Sequence, residues 1–314
     1  MGPSVNGTLN LYKPLGHTSM AVVRRVKRLT SQRGVGHGGT LDPLAEGVLP
    51  LCFGQATRVM EYLVNSSKLY RLRVRLGVST DTFDAEGRVT QERDPTGVTA
   101  EKVEQVLEGF RGTIYQTPPM YSALKRQGQR LYALARAGIE VERQPRRVEV
   151  QRLELVAWES PEATLEVECG RGMYMRSLAH ELGEALGCGA HQVALTRLRT
   201  GPFHVEDSVT MERLEAACRE ATWTELLQPL DTVFLPMKAV VVGHAAEREI
   251  RNGQPVNLGP RSHSASHLES WRLYTTEGVF LAVARFDKPL GLWKPQKVFR
   301  LHTPSPHAPE PSAP

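Results

Sequence analysis

Residues 34–54 read GVGHGGTLDPLAEGVLPLCFG, a glycine-rich loop followed by an apolar run at 48–53. Glycine lets the backbone bend and lets another molecule approach it closely. Asp42 lies between the loop and the apolar run. An aspartate before a proline is most often a turn residue or a cap, so composition alone favours a turn at Asp42 and leaves a catalytic carboxylate as the less common alternative.

The composition of the chain is that of a globular protein. Of its 314 residues, 40% are hydrophobic and 23% are charged, which excludes wholesale disorder. No stretch approaches the roughly 18 consecutive apolar residues of a membrane span, and the first residues lack the pattern of a secretory signal. We therefore expect a cytoplasmic protein with no membrane partner.

Charge and cysteine usage limit the partners and metals that the chain can take. Lysine and arginine number 39 against 34 acidic residues, a formal net charge of +5, which permits a polyanionic partner without requiring one. The 4 cysteines form no CxxC pair, and the histidines show no HExxH or paired helical spacing. The sequence therefore predicts neither a zinc site nor a disulfide framework.

Strand and helix patterns are mixed along the chain. Residues 69–78 alternate apolar side chains, including Tyr70, with Arg71, Arg73 and Arg75, which is the period of a half-buried strand. Other strands are predicted at 146–156, 163–169 and 191–199, and helices at 18–29, 99–110, 129–137 and 175–186. Because strands and helices do not alternate strictly, an α+β fold with a central mixed, mostly antiparallel sheet flanked by helices is favoured over a doubly wound parallel sheet.

The first predicted helix has a strongly basic face. Arg24, Arg25, Lys27 and Arg28 lie opposite its apolar face, with no acidic residue among them. A solvated surface and a surface that faces phosphates are both compatible with this pattern.

Composition shifts divide the chain into three parts. Residues 1–235 form the larger domain. After a boundary near 235–236, short β-like runs broken by glycine and proline predict a small, mostly β domain at 236–302. The remainder, 303–314, is rich in proline and nearly free of bulky apolar groups, so we expect a disordered tail.

Two motifs are too weak to carry a function. Residues 34–39 satisfy GxGxxG, but a basic helix precedes them and Pro43 follows closely, so the strand and helix that flank a dinucleotide site are missing. Asp81 and Asp84 lack the ligand spacing of a calcium loop, and a turn is the better reading there.

Several ordered blocks of the sequence resemble the TruB family of bacterial tRNA pseudouridine-55 synthases. The resemblance covers about residues 8–235, and a weaker one links the C-terminal part to PUA RNA-binding domains. The blocks are LNLYKPLGHTS (9–19), GHGGTLDPLAEGVLPLCFGQATR (36–58), YRLRVRLGVSTDTFDAEG (70–87), MYSALKRQGQRLYALARAGIEV (120–141), GRGMYMRSLAHELGEALGCGAH (170–191) and LTRLRTGPF (195–203).

The resemblance implies a pseudouridine synthase fold and the isomerisation of a uridine in tRNA by base flipping. It implies no cofactor and no metal, because no redox step occurs. The implied partner is the T-arm of tRNA, bound by a monomer that needs no protein partner. A catalytic domain at 1–235 would carry a thumb-like insertion at about 119–147, followed by a PUA-like domain at 236–302.

The resemblance also assigns roles to individual residues. Asp42 matches the catalytic aspartate and Arg176 the arginine that pairs with it. Tyr70 matches a catalytic and substrate-binding tyrosine. Further matches are the substrate-binding positions His37, Tyr174 and Leu195. Contacts to the RNA backbone are expected at Lys13, Lys125, Arg126, Arg130, Arg146 and Arg147.

Two other functions stay open at this point. A guide-dependent pseudouridine synthase shares the chemistry, but the long insertion disfavours it, because a guided enzyme delegates substrate selection to RNA pairing. An RNA-binding or tRNA-folding chaperone without catalysis is disfavoured by the presence of Asp42, Tyr70 and Arg176.

Overall fold

The computed structural model describes residues 5–122, 125–126, 128–139 and 141–310. A large mixed sheet forms the body of the protein, and a smaller four-stranded sheet follows it. The helices in the described ranges are α1 (Ser19–Thr30), α2 (Met60–Asn65), α3 (Ala100–Leu107), α4 (Leu131–Arg136), α5 (Met175–Ala185), α6 (Met211–Arg219) and α7 (His244–Arg251). None of the helices in these ranges is long and apolar enough to cross a membrane.

The large sheet has its strands in the order β1-β3-β12-β4-β11-β10-β7, and two short strands, β2 and β13, pair with β3 and β12. Its pairs are antiparallel except for β3 and β12, which run parallel. The mixed, mostly antiparallel sheet predicted from the sequence is confirmed. Its strands are β1 (Gly7–Lys13), β2 (Val35–His37), β3 (Ala45–Phe53), β4 (Lys68–Leu76), β7 (Gly112–Gln116), β10 (Arg146–Glu159), β11 (Glu162–Cys169), β12 (Ala190–Thr200) and β13 (Phe203–His204).

The remaining strands form two hairpins and the C-terminal sheet. One hairpin follows β4, and the other lies in the insertion between β7 and β10. In the C-terminal sheet β14 and β15 are parallel, and the other pairs are antiparallel. These strands are β5 (Val78–Thr80), β6 (Val89–Glu92), β8 (Lys125–Arg126), β9 (Gln129–Arg130), β14 (Ala239–Val241), β15 (Ser270–Tyr274), β16 (Phe280–Asp287) and β17 (Leu292–Val298).

Strand β4 shows how the sequence pattern sets the core. Leu72 and Val74 are fully buried, whereas Arg71, Arg73 and Arg75 are exposed on the other face. The buried face packs against α3 and α5. Helix α1 begins as its cap predicts, because the Thr18 hydroxyl accepts a hydrogen bond from the Ala21 amide at 3.1 Å.

The C-terminal sheet packs against the back of the large sheet. Val48 and Cys52 of β3 share one buried cluster with Phe280, Val283 and Phe299. The same junction contains an ion pair, in which Nζ of Lys297 lies 2.8 Å from Oε1 of Glu61. An apolar interface of this kind restricts the movement of one sheet on the other.

Most of the proline-rich tail packs against the folded body. Residues 303–310 lie against it, so the prediction of a disordered tail is wrong for this stretch, while residues 311–314 lie outside the described ranges. The hydroxyl of Ser305 donates to Oδ2 of Asp231 at 2.6 Å, and the Ser305 amide donates to the Gly278 carbonyl at 2.9 Å. Asp231 is 1% exposed, and a buried carboxylate requires hydrogen-bond donors, which a chain with little apolar surface can supply.

We predict that Gly183→Ala destabilises the fold. A Cβ at Gly183 of α5 would overlap the backbone of Gly189 and Ala190, which leads into β12. Because backbone atoms cannot yield as a flexible side chain does, we expect the free energy of unfolding in urea to fall by about 2 kcal/mol or more. In the control Gly97→Ala the new Cβ meets nothing within 4 Å. Equal stability of the two variants would contradict the close packing of α5 on β12.

Candidate active site

A cavity of about 350 Å³ lies where the loop before β3, strands β4 and β12, and the start of α5 meet. Two other cavities, of about 420 and 460 Å³, are larger but contain none of the site residues predicted from the sequence. The smaller cavity contains six of those residues together with other polar groups. Its lining is Gly39, Thr40, Leu41, Asp42, Val64, Lys68, Tyr70, Ser122, Arg146, Gly170, Arg171, Gly172, Met173, Tyr174, Met175, Arg176, Gln192, Leu195 and Arg197.

Asp42 and Arg176 form an ion pair in this cavity. Nε and Nη2 of Arg176 each lie 2.9 Å from Oδ2 of Asp42. The arginine side chain is 6% exposed and the aspartate side chain 41% exposed. The guanidinium is therefore buried behind the carboxylate. Both contacts go to one oxygen, so Oδ1 accepts neither of them and the carboxylate is presented to the cavity.

Three groups from other segments hold Arg176 in place. Nη2 donates to the Tyr121 carbonyl at 2.8 Å, and Nη1 donates to the Thr82 carbonyl at 3.3 Å. The carboxylate of Asp84 lies 3.7 Å from Nε. The sequence indicated only a turn at Asp84, because nothing in one sequence shows that the turn after β5 meets the first turn of α5.

The loop that carries Asp42 is fixed from both sides. Nε of Arg197 donates to the Val48 carbonyl at 2.7 Å and Nη2 donates to the Gly39 carbonyl at 3.1 Å. The hydroxyl of Ser19, the first residue of α1, accepts from the Leu41 amide at 2.8 Å and donates to the Leu41 carbonyl at 3.0 Å. Arg197 is 1% exposed. Because charged side chains are rarely buried, no sequence pattern predicted this role for Arg197.

Tyr70 lines the same cavity from β4, on the strand face that its alternation predicted. Burial raises the pKa of its phenol, while the neighbouring Arg197 guanidinium opposes this shift. The hydroxyl therefore stays protonated at neutral pH. A protonated phenol can donate a hydrogen bond or take part in proton transfer through its oxygen.

Tyr174 and Leu195 complete the apolar part of the cavity. Tyr174 is the residue before α5, and its amide donates to Oε1 of Gln116 at 2.7 Å. Burial raises the pKa of the Tyr174 phenol as well. Leu195 lies on β12 and is 7% exposed. An aromatic ring and an aliphatic side chain in one cavity suit a planar apolar ligand surface.

His37 lies at the end of β2 and does not line the cavity. Its Nδ1 is 3.3 Å from the Gly39 amide, which links the ring to the loop that continues to Asp42. Burial and the nearby Arg197 charge lower the pKa of this histidine. The ring is therefore neutral at pH 7.

Lys13 is buried, although a contact to the RNA backbone was predicted for it. It is fully buried, and its Nζ donates to the carbonyls of Pro14 at 2.9 Å and His17 at 2.6 Å. Burial lowers the pKa of its ammonium group to about 8, although the Asp42 and Glu46 carboxylates oppose the shift. The expected contact to an RNA phosphate is wrong because no part of this side chain reaches the surface.

The other basic predictions divide between the cavity and its surroundings. Arg146 is exposed and lines the cavity, whereas Arg147 lies outside it, 3.8 Å from Glu149. The side chains of Lys125, Arg126 and Arg130 lie outside the described part of the structure. Three further basic residues of the lining, Lys68, Arg171 and Arg197, were not predicted.

The charge of the cavity fits an anionic ligand. Among its described lining residues, 5 are lysine or arginine and Asp42 alone is acidic. In the described ranges no group of 3 or more His, Cys, Asp or Glu side chains could hold a metal ion. The arrangement thus presents one oriented carboxylate, one phenol and an excess of positive charge.

Two family models match the chain. Residues 27–175 match the N-terminal domain of TruB family pseudouridylate synthases, and residues 176–242 match the C-terminal domain of tRNA pseudouridylate synthase B. The two matched ranges meet at the start of α5, yet β12 and β13 from the second range belong to the sheet of the first. The two matches therefore describe parts of one folded unit.

Curated relatives and a solved structure agree with these matches. The chain is 41% identical to tRNA pseudouridine synthase B of Dehalococcoides mccartyi strain 195, over 94% of this chain and 97% of the relative. It is 44% identical to tRNA pseudouridine synthase B of Stutzerimonas stutzeri, over 94% and 96%. A chain in the crystal structure of a Cbf5-Nop10-Gar1 complex superimposes with a TM-score of 0.71 at 26% identity, over 97% of this chain and 87% of that one. The chain belongs to the TruB family of pseudouridylate synthases.

Proposed function

We propose that this protein isomerises uridine 55 in the T-loop of tRNA to pseudouridine, as a cytoplasmic monomer without a cofactor. One observation carries the proposal: the Asp42 carboxylate is presented to a cationic cavity while the buried Arg176 guanidinium holds one of its oxygens. A volume of about 350 Å³ is within the ~300–1,000 Å³ of small-ligand sites. Relatives named tRNA pseudouridine synthase B support tRNA as the substrate.

The reaction is an isomerisation, so its atoms balance within the nucleotide. The N1–C1′ bond breaks, the uracil turns, a C5–C1′ bond forms, the proton on C5 leaves, and N1 takes up a proton. A group beside the sugar must act as nucleophile or stabilise the developing charge, and another must accept the C5 proton. No electron is gained or lost, so the residues of the cavity can supply both tasks.

The ion pair suits Asp42 for the first task. A carboxylate beside a base loses part of its hydration, which costs free energy unless another charge pairs with it. The guanidinium of Arg176 supplies that paired charge and fixes the orientation of the carboxylate. Because Arg176 is itself held by the Thr82 and Tyr121 carbonyls, the carboxylate is oriented before the substrate arrives, which lowers the reorganisation needed in the transition state.

Tyr70 suits the second task as a proton relay, because its protonated phenol would receive the C5 proton while it gives its own proton to water. It also suits the binding of the base. Its position on β4 gives its ring one wall of the cavity. The ring would stack on the uracil while the hydroxyl reaches the sugar or C5. Tyr174 and Leu195 would bracket the base from the start of α5 and from β12.

Access to the cavity requires that the target nucleotide leaves the stacked T-loop, at a cost of roughly a few kcal/mol. We assign to His37 the task of occupying the space that the nucleotide vacates. Its place on the loop that leads to Asp42 supports this role, and its lowered pKa makes it a neutral, stackable ring.

Binding of the T-arm is assigned to the insertion at about 119–147 and to the C-terminal domain at 236–302. The insertion emerges between β7 and β10, beside Arg146 of the cavity. The C-terminal sheet would act as a PUA-like RNA-binding domain. Its buried junction with β3 fixes its position relative to the cavity.

A guide-dependent synthase is the second candidate, and the likeness to the chain of the Cbf5-Nop10-Gar1 complex favours it. The higher identity to tRNA pseudouridine synthase B relatives favours direct action on tRNA. Tritium release from tRNA transcript labelled at uridine C5, with no other component present, separates the two. Release by the purified chain supports direct action, and release only with a guide RNA supports the guided enzyme. Binding without release would indicate a chaperone.

We predict that Asp42→Asn abolishes pseudouridine formation while tRNA affinity changes by less than about tenfold. The amide keeps the shape of the side chain but loses the charge that the chemistry requires. Asp84 still provides a carboxylate 3.7 Å from Arg176. Tritium release and filter binding measure the two quantities, and Asp207→Asn, the same change at an exposed site, is the control. Residual turnover above a few per cent of the wild-type rate would show that Asp42 is not the catalytic carboxylate.

Arg176→Lys should lower kcat by about 100-fold or more. A lysine cannot reproduce the planar fork that contacts Asp42 and two carbonyls at once. The matched control is Arg199→Lys, which also removes an arginine paired with a carboxylate, Glu168 at 2.5 Å, but outside the cavity. Single-turnover rates measure the effect, and equal rates for the two variants would show that the Arg176 fork is not needed.

His37→Ala should slow modification of folded tRNA more than that of a short, loosely folded T-loop hairpin. The hairpin already exposes its target uridine, so it needs less help in unstacking. The ratio of kcat/KM on the two RNAs measures this difference. An equal loss on both RNAs would assign His37 to the chemistry instead of to extrusion.

A further inference from the structure

The exposed side of α1 carries charge that the chemistry does not use. The chain contains no aspartate or glutamate before Asp42, although its first 41 residues include 6 lysines and arginines. Arg24, Lys27 and Arg28 lie on the solvent side of α1, and we refer to these three residues as the α1 surface. Their neighbour Arg25 differs, because it forms an ion pair with Glu215 of α6.

The α1 surface has no counter-charge in the described structure. No ion pair of Arg24, Lys27 or Arg28 occurs within the described ranges. Arg24 and Arg28 are four residues apart, and like charges at that spacing destabilise a helix. A helix that retains such a pair becomes more stable when an external anion approaches, because the anion relieves the repulsion.

The start of α1 is attached to the catalytic loop. Ser19 exchanges two hydrogen bonds with Leu41, the residue before Asp42. The Gly16 amide also donates to the Pro43 carbonyl at 2.9 Å. At 1.5 Å per residue, Arg24 and Arg28 lie about 8 and 14 Å along the helix from Ser19. An RNA whose nucleotide enters the cavity thus brings further phosphates within reach of the α1 surface.

The α1 surface and the insertion lie at opposite ends of the large sheet. Helix α1 packs on Leu49 and Leu51 of β3, near the β1 edge, whereas the insertion emerges between β10 and β7 at the other edge. Ala45, Leu72 and Leu195 are neighbours in register, so they share one face. Strand alternation places Leu49 and Leu51 on that face too. The cavity lies between the two basic regions.

We propose that the α1 surface binds phosphates of the substrate RNA on the side of the cavity opposite the insertion. The inference rests on the proposed function, because it takes the RNA in the cavity as the source of the phosphates. It adds a second contact region, so that the RNA backbone is held on both sides of the flipped nucleotide.

The chemistry of α1 favours RNA over a membrane surface. A helix that lies on a membrane exposes a broad apolar face. The apolar face of α1 is instead directed inward, since Val22, Val23 and Val26 are at most 2% exposed. Met20 is the one large apolar side chain of α1 that is exposed in the structure as described. The remaining surface is cationic, which suits a phosphate backbone.

The salt dependence of tRNA binding tests the proposal. The variant R24E/R28E should raise the Kd for tRNA at least tenfold at about 0.1 M salt. Each lost phosphate contact removes about 0.7–0.9 from the magnitude of the slope of log Kobs against log salt, so loss of two contacts should lower that magnitude by about 1.4–1.8. The turnover rate of saturated enzyme should not change. R24Q/R28Q, which removes charge without reversing it, should give a smaller change in the same direction.

The control places the same charge reversal on the back of the sheet. R73E/R75E reverses two exposed arginines of β4 that point away from the cavity, and it should leave the slope near that of the wild type. A wild-type slope in R24E/R28E, or an equal reduction of the slope in both double variants, would contradict the proposal that the α1 surface binds phosphates. The two failures can be told apart, because tRNA binding is measured without turnover. An unchanged slope in the binding assay would contradict the role of the α1 surface, whereas the absence of pseudouridine in the activity assay would contradict the proposed function.

Discussion

The arrangement of the cavity depends on one buried charge. The guanidinium of Arg176 is almost fully removed from water, and a buried guanidinium must be paired and hydrogen-bonded to be tolerated. Its partners come from three separate segments: the loop before β3, the turn after β5, and the chain at Tyr121 where the insertion begins. Satisfying this charge therefore brings those segments together and leaves Asp42 oriented toward the cavity.

A second buried arginine, Arg197, stabilises the loop that carries Asp42. Arg197 donates to carbonyls of the loop that leads to Asp42 and of β3, so the loop cannot shift without leaving a buried cation unpaired. The parallel pairing of β3 with β12 places Arg197 beside that loop. The two arginines act on opposite sides of Asp42: one contacts its carboxylate and the other its backbone segment. A rigid loop of this kind suits a reaction that depends on orientation.

Local patterns predicted much of this structure from the sequence. The alternation in β4, the cap at Thr18 and the glycine-rich loop around Asp42 have local causes and were identified. The burial of Arg197 was not, because it is stabilised by carbonyls from distant segments. The burial of Lys13 was not identified either, because its partners are backbone carbonyls of the loop that follows it, and no side-chain pattern reveals such contacts. Asp84 lay in a segment that read only as a turn. The docking of residues 303–310 depends on the buried Asp231, which no pattern in the tail reveals.

The central claim is that Asp42, held by Arg176, contacts a uridine taken out of its RNA. A crystal structure of the chain with a T-arm hairpin whose target uridine cannot complete the reaction tests this most directly. We predict that the nucleoside fills the cavity, that an Asp42 oxygen lies within hydrogen-bond or van der Waals contact of the sugar or base, and that Oδ2 keeps both contacts to Arg176. A uridine still stacked in its loop, or bound outside this cavity, would contradict the account.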